Sequence, residues 1–187
     1  MMITNATELK RVITTDNGWH GVNANLDLIP KERNALIKKI FKKEFPNYKV
    51  SIKKTNRGFF DSVMVTLYVN DNDVFTLDEF IKACPLNAVE IYRYLRPYDN
   101  FNQLKYEYEN NKKQLLTDVY EQCMDDLTIT QYIFHDSVVQ AMNYLKLLVR
   151  SFSSDESGLY RDYSERDIYD QYYYELNRKK YIRSILL

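Results

Sequence analysis

Two patterns of hydrophobic and polar residues follow each other in the segment that begins at Pro30. In the first pattern, apolar residues recur three and four positions apart, which predicts a helix over residues 30–45 with Pro30 as its first residue. In the second, apolar and polar residues alternate over residues 48–53 and again over residues 62–69, which predicts two strands with one wet face each. Because Gly58 lies in the short connection, we expect an antiparallel hairpin whose apolar face the helix covers.

The rest of the chain is predicted to be mostly helical, because glycine and proline occur only four times each. Thr76 and Glu79 have the spacing of a capping box at a helix start. We expect helices over residues 5–14, 76–83, 85–96, 102–126 and 128–150, and a last one that begins at Ser164. That last helix would have an apolar stripe formed by Ile168, Tyr172, Leu176 and Ile182.

Two polar segments interrupt these predicted helices. Thr15–Leu28 is rich in Asn, Gly and Asp, which indicates a loop, and Ser151–Gly158 has the composition of a linker. A third strand is expected either near residues 73–75 or inside that loop. The predicted fold class is therefore α+β. It has a small N-terminal α-β-β unit over residues 1–75 and a mostly helical region over residues 76–187, which form two units or one compact domain.

The formal net charge of zero hides a strong asymmetry along the chain. In total, 26 Lys and Arg residues balance 26 Asp and Glu residues. Residues 31–57, however, have a net charge of +8, from ten basic and two acidic side chains, and residues 58–136 have −8, from six and 14. The neutral whole-chain charge therefore excludes neither an acidic nor a basic partner.

The basic segment is the strongest functional signal in the sequence. Basic and aromatic side chains on an open sheet face bind phosphates and stack bases in several proteins that recognise single strands. We expect the helical lysines and the strand lysines on opposite sides of the unit, so that they meet only around an edge. The alternatives are a solvated surface without a partner and contact with an acidic protein surface. The candidate nucleic-acid or nucleoprotein contacts are Lys38, Lys39, Lys42, Lys43, Lys49, Lys53, Lys54, Arg57 and Tyr68.

Acidic and aromatic residues further along the chain are candidates for contact with a protein partner. An acidic helix can mimic the phosphates of a nucleic acid and occupy a basic cleft, although it can also be an ordinary wet helix face. Tyrosine occurs 17 times, and its clustering near the C-terminus fits core packing, a partner interface or self-association. The candidate protein contacts are Asp118, Glu121, Asp125, Tyr169, Tyr173 and Tyr174.

No set of catalytic residues stands out in the sequence. The two histidines, His20 and His135, have no second His or Cys at the spacing of a zinc site. Glycine is too rare for a phosphate-binding loop. We therefore predict no catalytic residue, no cofactor and no metal ligand. The enzymatic alternative is a Mg²⁺-dependent nuclease that uses Asp125 and Asp126.

Composition also restricts the compartment. Two cysteines in 187 residues exclude a disulfide-stapled secreted scaffold, and no apolar run reaches the ~18 residues of a membrane span. The first ten residues lack the apolar core of a signal peptide. We therefore expect a cytoplasmic protein that does not contact a membrane.

A resemblance to known families rests on residues 35–69. The predicted helix is basic and ends in Phe45-Pro46, an alternating basic strand follows, and the second strand opens with Ser62-Val63-Met64-Val65. This arrangement resembles the small α-β-β unit of a large polyvalent protein-associated domain family, which phages and conjugative elements carry. That family has an Asp-Gly-Pro turn where this chain has Asn70–Asp73. The shared motif contains no catalytic residue.

A short chain rich in Asn, Lys and Tyr that contains such a unit is also similar to type II anti-CRISPR proteins of Gram-positive bacteria. This resemblance implies a phage or mobile-element protein that acts in the bacterial cytoplasm. It also implies the RNA-guided effector nuclease, its guide RNA, or both as partners. We therefore expect a non-catalytic inhibitor. The alternatives are a stand-alone nucleic-acid-binding accessory domain and a metal-dependent nuclease that acts on the guide RNA.

Overall fold

Helices and small sheets together make up the computed structural model, which confirms the α+β class. The structure describes residues 2–15, 18–24, 26, 28–57, 60–83, 86–95, 100–125, 130–155 and 169–176. The helices are α1 (Ala6–Leu9), α2 (Pro30–Glu44), α3 (Leu77–Ala83), α4 (Ala88–Leu95), α5 (Phe101–Asn110), α6 (Lys112–Asp125) and α7 (Asp136–Ser151). The strands are β1 (Val12–Thr15), β2 (Gly18–Gly21), β3 (Lys49–Arg57), β4 (Phe60–Val69), β5 (Ser154–Asp155) and β6 (Tyr169–Leu176). None of the described helices combines the length and the hydropathy needed to cross a bilayer.

The described residues form two compact units. The first contains Met1–Val69 and the described residues from Gln140 onwards, and it holds two three-stranded sheets, ordered β1-β2-β5 and β3-β4-β6. The second contains Asn70–Val139 and therefore α3 to α6 with the start of α7. The helix and hairpin of the predicted α-β-β unit, α2-β3-β4, lie entirely in the first unit.

Helix α2 covers the segment predicted from its apolar periodicity. Pro30 is its first residue, and the Glu32 carboxylate accepts a hydrogen bond of 3.3 Å from the backbone N–H of Ile29. The apolar stripe is buried at Ile37, Ile40 and Phe41. The helix ends before Pro46, as expected for a residue that restricts the backbone preceding it.

The predicted antiparallel hairpin is also confirmed. Strands β3 and β4 pair over their whole length, with Val50 opposite Leu67 and Ile52 opposite Val65. Ile52, Val65 and Leu67 are almost fully buried, and α2 packs against β3. The apolar face of the hairpin is therefore the one that α2 covers, since a two-stranded sheet is marginal without such a cover.

The predicted C-terminal helix is wrong where the structure describes it, because Tyr169–Leu176 forms strand β6. This strand pairs in parallel with β4, which becomes the central strand of the sheet. Tyr172 and Leu176 are four residues apart, and a spacing of four fits both a helical turn and the two-residue repeat of a strand. The tyrosine run favours the strand, because aromatic residues pack well on sheets. Ile168 and Ile182 lie outside the described residues.

The N-terminal helix is shorter than predicted, and part of the predicted loop is a strand. Helix α1 ends at Leu9, and the run from Val12 to Thr15 forms β1. Four successive β-branched residues favour this extended backbone. Strand β2 lies inside the segment predicted as a loop and pairs with β1, so that Val12 is opposite Gly21. A third strand does therefore occur there, but in a sheet separate from the hairpin.

The segment predicted as a linker is packed over its first five residues. Ser151 and Ser153 are buried, and β5 pairs with β2. The backbone N–H groups of Gly21 and Asn23 donate to the carbonyls of Ser153 and Ser151 at 2.8 and 2.7 Å. These bonds join β2 to the end of α7, and residues 156–158 lie outside the described part.

In the second unit, the capping box is confirmed, but the predicted long helix is divided. Thr76 Oγ1 accepts from the Glu79 N–H at 3.3 Å, and the Glu79 carboxylate accepts from the Thr76 N–H at 2.8 Å. Asn111 separates α5 from α6 with a non-helical backbone, φ −126° and ψ 33°. Its side chain donates to the Glu107 carboxylate at 2.6 Å, a local bond of the kind that competes with helix continuation.

Helix α7 begins at Asp136, later than the predicted start at Thr128. The segment before it runs antiparallel to residues 73–75, where Val74 and Phe134 form a β-bridge. Phe75 N–H donates to the Ile133 carbonyl at 2.8 Å, and His135 N–H donates to the Asp73 carbonyl at 3.0 Å. A 3₁₀ helix over Thr130–Ile133 and this pairing come before α7, and Thr128 lies outside the described residues.

Candidate nucleic-acid interface

Three of the predicted contact residues meet on one face of the hairpin. The register places Lys49 opposite Tyr68, and Lys53 lies four residues along β3 on the same face, because side chains alternate along a strand. The Lys49 Nζ lies 5.2 Å from the centroid of the Tyr68 ring. Lys49 and Lys53 are exposed, and Tyr68 is half-buried. We call Lys49, Lys53 and Tyr68 the sheet-face group.

The surface between these residues is uncharged. Ser51 and Thr66 form the cross-strand pair between the two lysines, and Met64 is opposite Lys53. Ser51 and Met64 are half-buried, whereas Thr66 is only 9% exposed. None of the side chains that the structure describes on β3 and β4 is acidic. These strands therefore provide no described carboxylate that would neutralise the two lysines.

The helical lysines form a second group, which we call the helix group: Lys38, Lys39, Lys42 and Lys43. Lys38 is half-buried, and the other three are exposed. Lys42 Nζ donates to the carbonyl of Pro46, just beyond the end of α2. Lys42 and Lys43 lie in the last turn, where cations stabilise the negative end of the helix dipole. Part of the helix group therefore has a structural role without any ligand.

The two basic groups lie on different sides of the sheet. Helix α2 packs against β3, and the face it covers holds Val50 and Ile52, so the exposed Lys49 and Lys53 must lie on the other face. A single flat surface that includes both groups is therefore not formed. Lys54 and Arg57 are residues of β3, but their side chains lie outside the part of the chain that the structure describes.

The acidic candidates lie on α6. Asp118 and Glu121 are exposed and three residues apart, so they are neighbours on one helix face. Gln114 donates to the Asp118 carboxylate at 2.8 Å, and Leu115 and Val119 are buried on the opposite side. Asp125 is the last residue of α6, and its side chain lies outside the described part.

The candidate tyrosines belong to the same sheet as the sheet-face group. In the register of β4 and β6, Tyr169 pairs with Ser62, Tyr173 with Thr66 and Tyr174 with Leu67. The sequence pattern predicts a separate helix for these tyrosines and gives no indication of this proximity. The signal that could have revealed it is the high strand propensity of the tyrosine run.

No residue with an unusual titration marks a catalytic centre among the described residues. Hydrogen bonds from Thr76 lower the pKa of Glu79, which reflects helix capping. Burial, with a contribution from the nearby Glu44 carboxylate, raises the pKa of Tyr144 to about 12. Within the described ranges, no three His, Cys, Asp or Glu side chains are placed to share a metal ion.

Both histidines occupy packed surroundings. The His135 ring lies 4.3 Å from the Phe75 ring in an edge-on arrangement, and His20 is half-buried in β2 opposite Ile13. Asp126, which the nuclease alternative requires, lies outside the described residues.

Comparisons of this chain with protein-family models, with curated proteins and with solved structures found no match.

Proposed function

We propose that the protein is a non-catalytic inhibitor that binds a nucleoprotein, namely a type II RNA-guided effector nuclease with its guide RNA. It would be made by a phage or mobile element and act in the cytoplasm of the bacterial host. The observation that carries the binding part of this proposal is the sheet-face group, in which the exposed Lys49 and Lys53 share one face of the hairpin with the ring of Tyr68. The nature of the target comes from the resemblance to anti-CRISPR proteins.

The charge distribution supports a mixed target of this kind. A basic surface on the first unit is complementary to the phosphates of a guide RNA. The exposed acidic face of α6, with Asp118 and Glu121, is complementary to the basic channel in which such a nuclease holds its guide. The tyrosines of β6 are of the residue type enriched at the energetic centres of protein interfaces. Each of these surfaces would cover a part of the effector complex and prevent that part from binding its usual ligand.

A pull-down of purified effector, with and without guide RNA, is the first test. We expect capture of the guide-loaded effector and inhibition of its cleavage of target DNA when the protein is in excess. No capture in either state, or cleavage that continues at saturating protein, would disprove the proposal.

Charge reversal of the basic unit tests whether inhibition depends on the lysines described above. We expect the combined change of Lys38, Lys42, Lys49 and Lys53 to Glu to weaken inhibition, since phosphate contacts depend on these charges. Potency equal to that of the wild type would remove the basic unit from the mechanism. Circular dichroism of the variant provides the control for folding.

A stand-alone nucleic-acid-binding domain is the second candidate, because the sheet-face group has the chemistry to bind a bare strand. It predicts binding to free nucleic acid without inhibition of the effector. The two candidates are therefore separated by the cleavage assay, in which only the inhibitor reduces the rate.

A further inference from the structure

We infer that the sheet-face group binds single-stranded nucleic acid without base specificity, while the helix group stays outside the contact. Tyr68 would stack one base, Lys49 would pair with the phosphate next to that base, and Lys53 would pair with a phosphate further along the strand. This inference rests on the proposed function and specifies which part of the nucleoprotein the first unit recognises.

The spacing of the lysines fits a strand that lies along β3. Lys49 and Lys53 are separated by four residues of an extended strand, which is about 13 Å at about 3.3 Å per residue. Between them lies the uncharged pair of Ser51 and Thr66. The surface therefore offers two separated cations and a neutral stretch, as a chain of phosphates with intervening sugars and bases requires.

The geometry favours unpaired over paired bases. A tyrosine ring stacks on a base face, and in a duplex each base face is already covered by its neighbours. The described ring of Tyr68 lies on a sheet surface, whereas reading a major groove would require a helix or a two-stranded ribbon that enters it. Because stacking and phosphate pairing do not depend on base identity, we expect RNA and DNA single strands to bind with similar sequence tolerance.

The contact between Lys49 and Tyr68 defines what must change on binding. The Lys49 ammonium lies within the range of a cation–π interaction, at 5.2 Å from the ring centroid. A base that stacks on the ring must displace this ammonium, which then reaches the adjacent phosphate. Lys49 therefore exchanges one favourable contact for another, whereas Lys53 lies opposite Met64 and gains its phosphate contact without such an exchange among the described side chains.

The helix group is excluded by position and by its own bonds. It lies on the side of the sheet opposite to Lys49, and Lys42 already donates to the Pro46 carbonyl. Lys39 and Lys43 are exposed lysines of this group and provide a matched control with the same change in charge.

Fluorescence anisotropy with labelled oligonucleotides tests the inference on the full chain. The probes are a short single-stranded RNA, a single-stranded DNA of the same sequence and the corresponding duplex, each measured from ~50 to ~200 mM salt. We expect both single strands to bind more tightly than the duplex. The slope of log K against log salt should be about −1.4, the value for two phosphate contacts on a single strand.

Variants assign the binding to individual residues. Tyr68→Ala should weaken binding by about 5- to 150-fold, the range for the loss of one stacked base, and Tyr68→Phe should leave it unchanged. Lys49→Gln with Lys53→Gln should remove most of the salt dependence. Lys39→Gln with Lys43→Gln should change neither the affinity nor the slope.

Three results would overturn the inference. These are duplex binding as tight as single-strand binding, equal losses in the sheet-face and helix-group variants, and no binding to any probe at low salt. If the effector is still inhibited when one of these results is obtained, the proposed function remains intact, because the inhibitor would then contact only protein. Conversely, strand binding without inhibition would disprove the proposed function and support the inference.

Discussion

Asn23 is a buried polar residue that connects distant parts of the first unit, and its replacement by alanine tests how much buried hydrogen bonds stabilise that unit. Its side chain is 2% exposed. The side-chain oxygen accepts from the Ile3 N–H at 2.9 Å, and the side-chain nitrogen donates to the Ile3 carbonyl at 2.8 Å and to Ser151 Oγ at 3.0 Å. One amide therefore joins the N-terminal segment to the end of α7.

The expected loss follows from these three bonds. Asn23→Ala removes all of them, at about 1 kcal/mol each, so we expect a loss of about 3 kcal/mol in the free energy of unfolding. Ser151 keeps its bond to the Leu148 carbonyl, and the backbone bond from Asn23 N–H to the Ser151 carbonyl is also retained. For a chain of this size, the loss corresponds to a decrease in Tm of about 6–12 °C.

Urea titration followed by circular dichroism measures this loss, and Asn87 provides the matched control. Asn87 is exposed and caps α4, with its side-chain oxygen 2.9 and 3.0 Å from the backbone nitrogens of Val89 and Glu90. Asn87→Ala should cost only about 1 kcal/mol, the usual value for a helix cap. Equal losses in the two variants would refute the reasoning, since burial of the bonded amide would then have no effect.

Three other predictions concern individual contacts. Tyr144→Phe should lose about 1 kcal/mol, because the hydroxyl bond of 2.8 Å to the Thr4 carbonyl disappears. The change should also remove a pH dependence of stability. The pKa of Tyr144 is about 12 in the folded protein and ordinarily 10.0, so the free energy of unfolding of the wild type should decrease as the pH rises between these values. Urea titrations at each pH measure this decrease. The lowered pKa of Glu79 should rise only part of the way towards 4.5 in Thr76→Ala, as measured by NMR titration of the carboxyl group, because the larger cause, the hydrogen bond from the backbone N–H of residue 76, is retained. Gly21→Ala should lower Tm, corresponding to about 1–3 kcal/mol of overpacking, since its Cβ would lie 2.5 Å from two carbonyl oxygens at the end of α7. An unchanged Tm would contradict that contact.

Local patterns were sufficient to predict the α2-β3-β4 unit. The spacing of apolar residues from Leu36 to Phe45 fits a helix and not a strand. The alternation of apolar and polar residues from Val63 to Val69 fits a strand and not a helix. The sheet-face group follows from the same alternation, because the hairpin register is fixed by its short connection. Lys49 and Tyr68 could therefore be placed together before the structure was known.

Strand β6 could not be predicted in the same way. Its apolar spacing of four residues fits both a helix and a strand, and its partner β4 is about one hundred residues earlier in the chain. Pairing over such a distance depends on the intervening helices and leaves no periodic signal near Tyr172. The division at Asn111 was missed for a related reason, since a side-chain bond to Glu107 decided it.

The sheet-face group also explains why only part of the predicted basic surface is central to the proposed function. The sequence predicts that the lysines of the helix and those of the strand lie on opposite sides of the unit, and the packing of α2 against β3 agrees with this. The structure adds the register that sets Lys49 opposite Tyr68, and this pair is the reason that the strand face is chosen for the proposed contact.

Inhibition of the guide-loaded effector by single-face variants tests the central claim most directly. The rate of target cleavage is measured against increasing concentrations of the wild type, of Lys49→Glu with Lys53→Glu, and of Lys39→Glu with Lys43→Glu. We expect the wild type and the helix-group variant to inhibit equally and the sheet-face variant to lose most of its potency. Full potency of the sheet-face variant, or no inhibition by the wild type, would contradict the account.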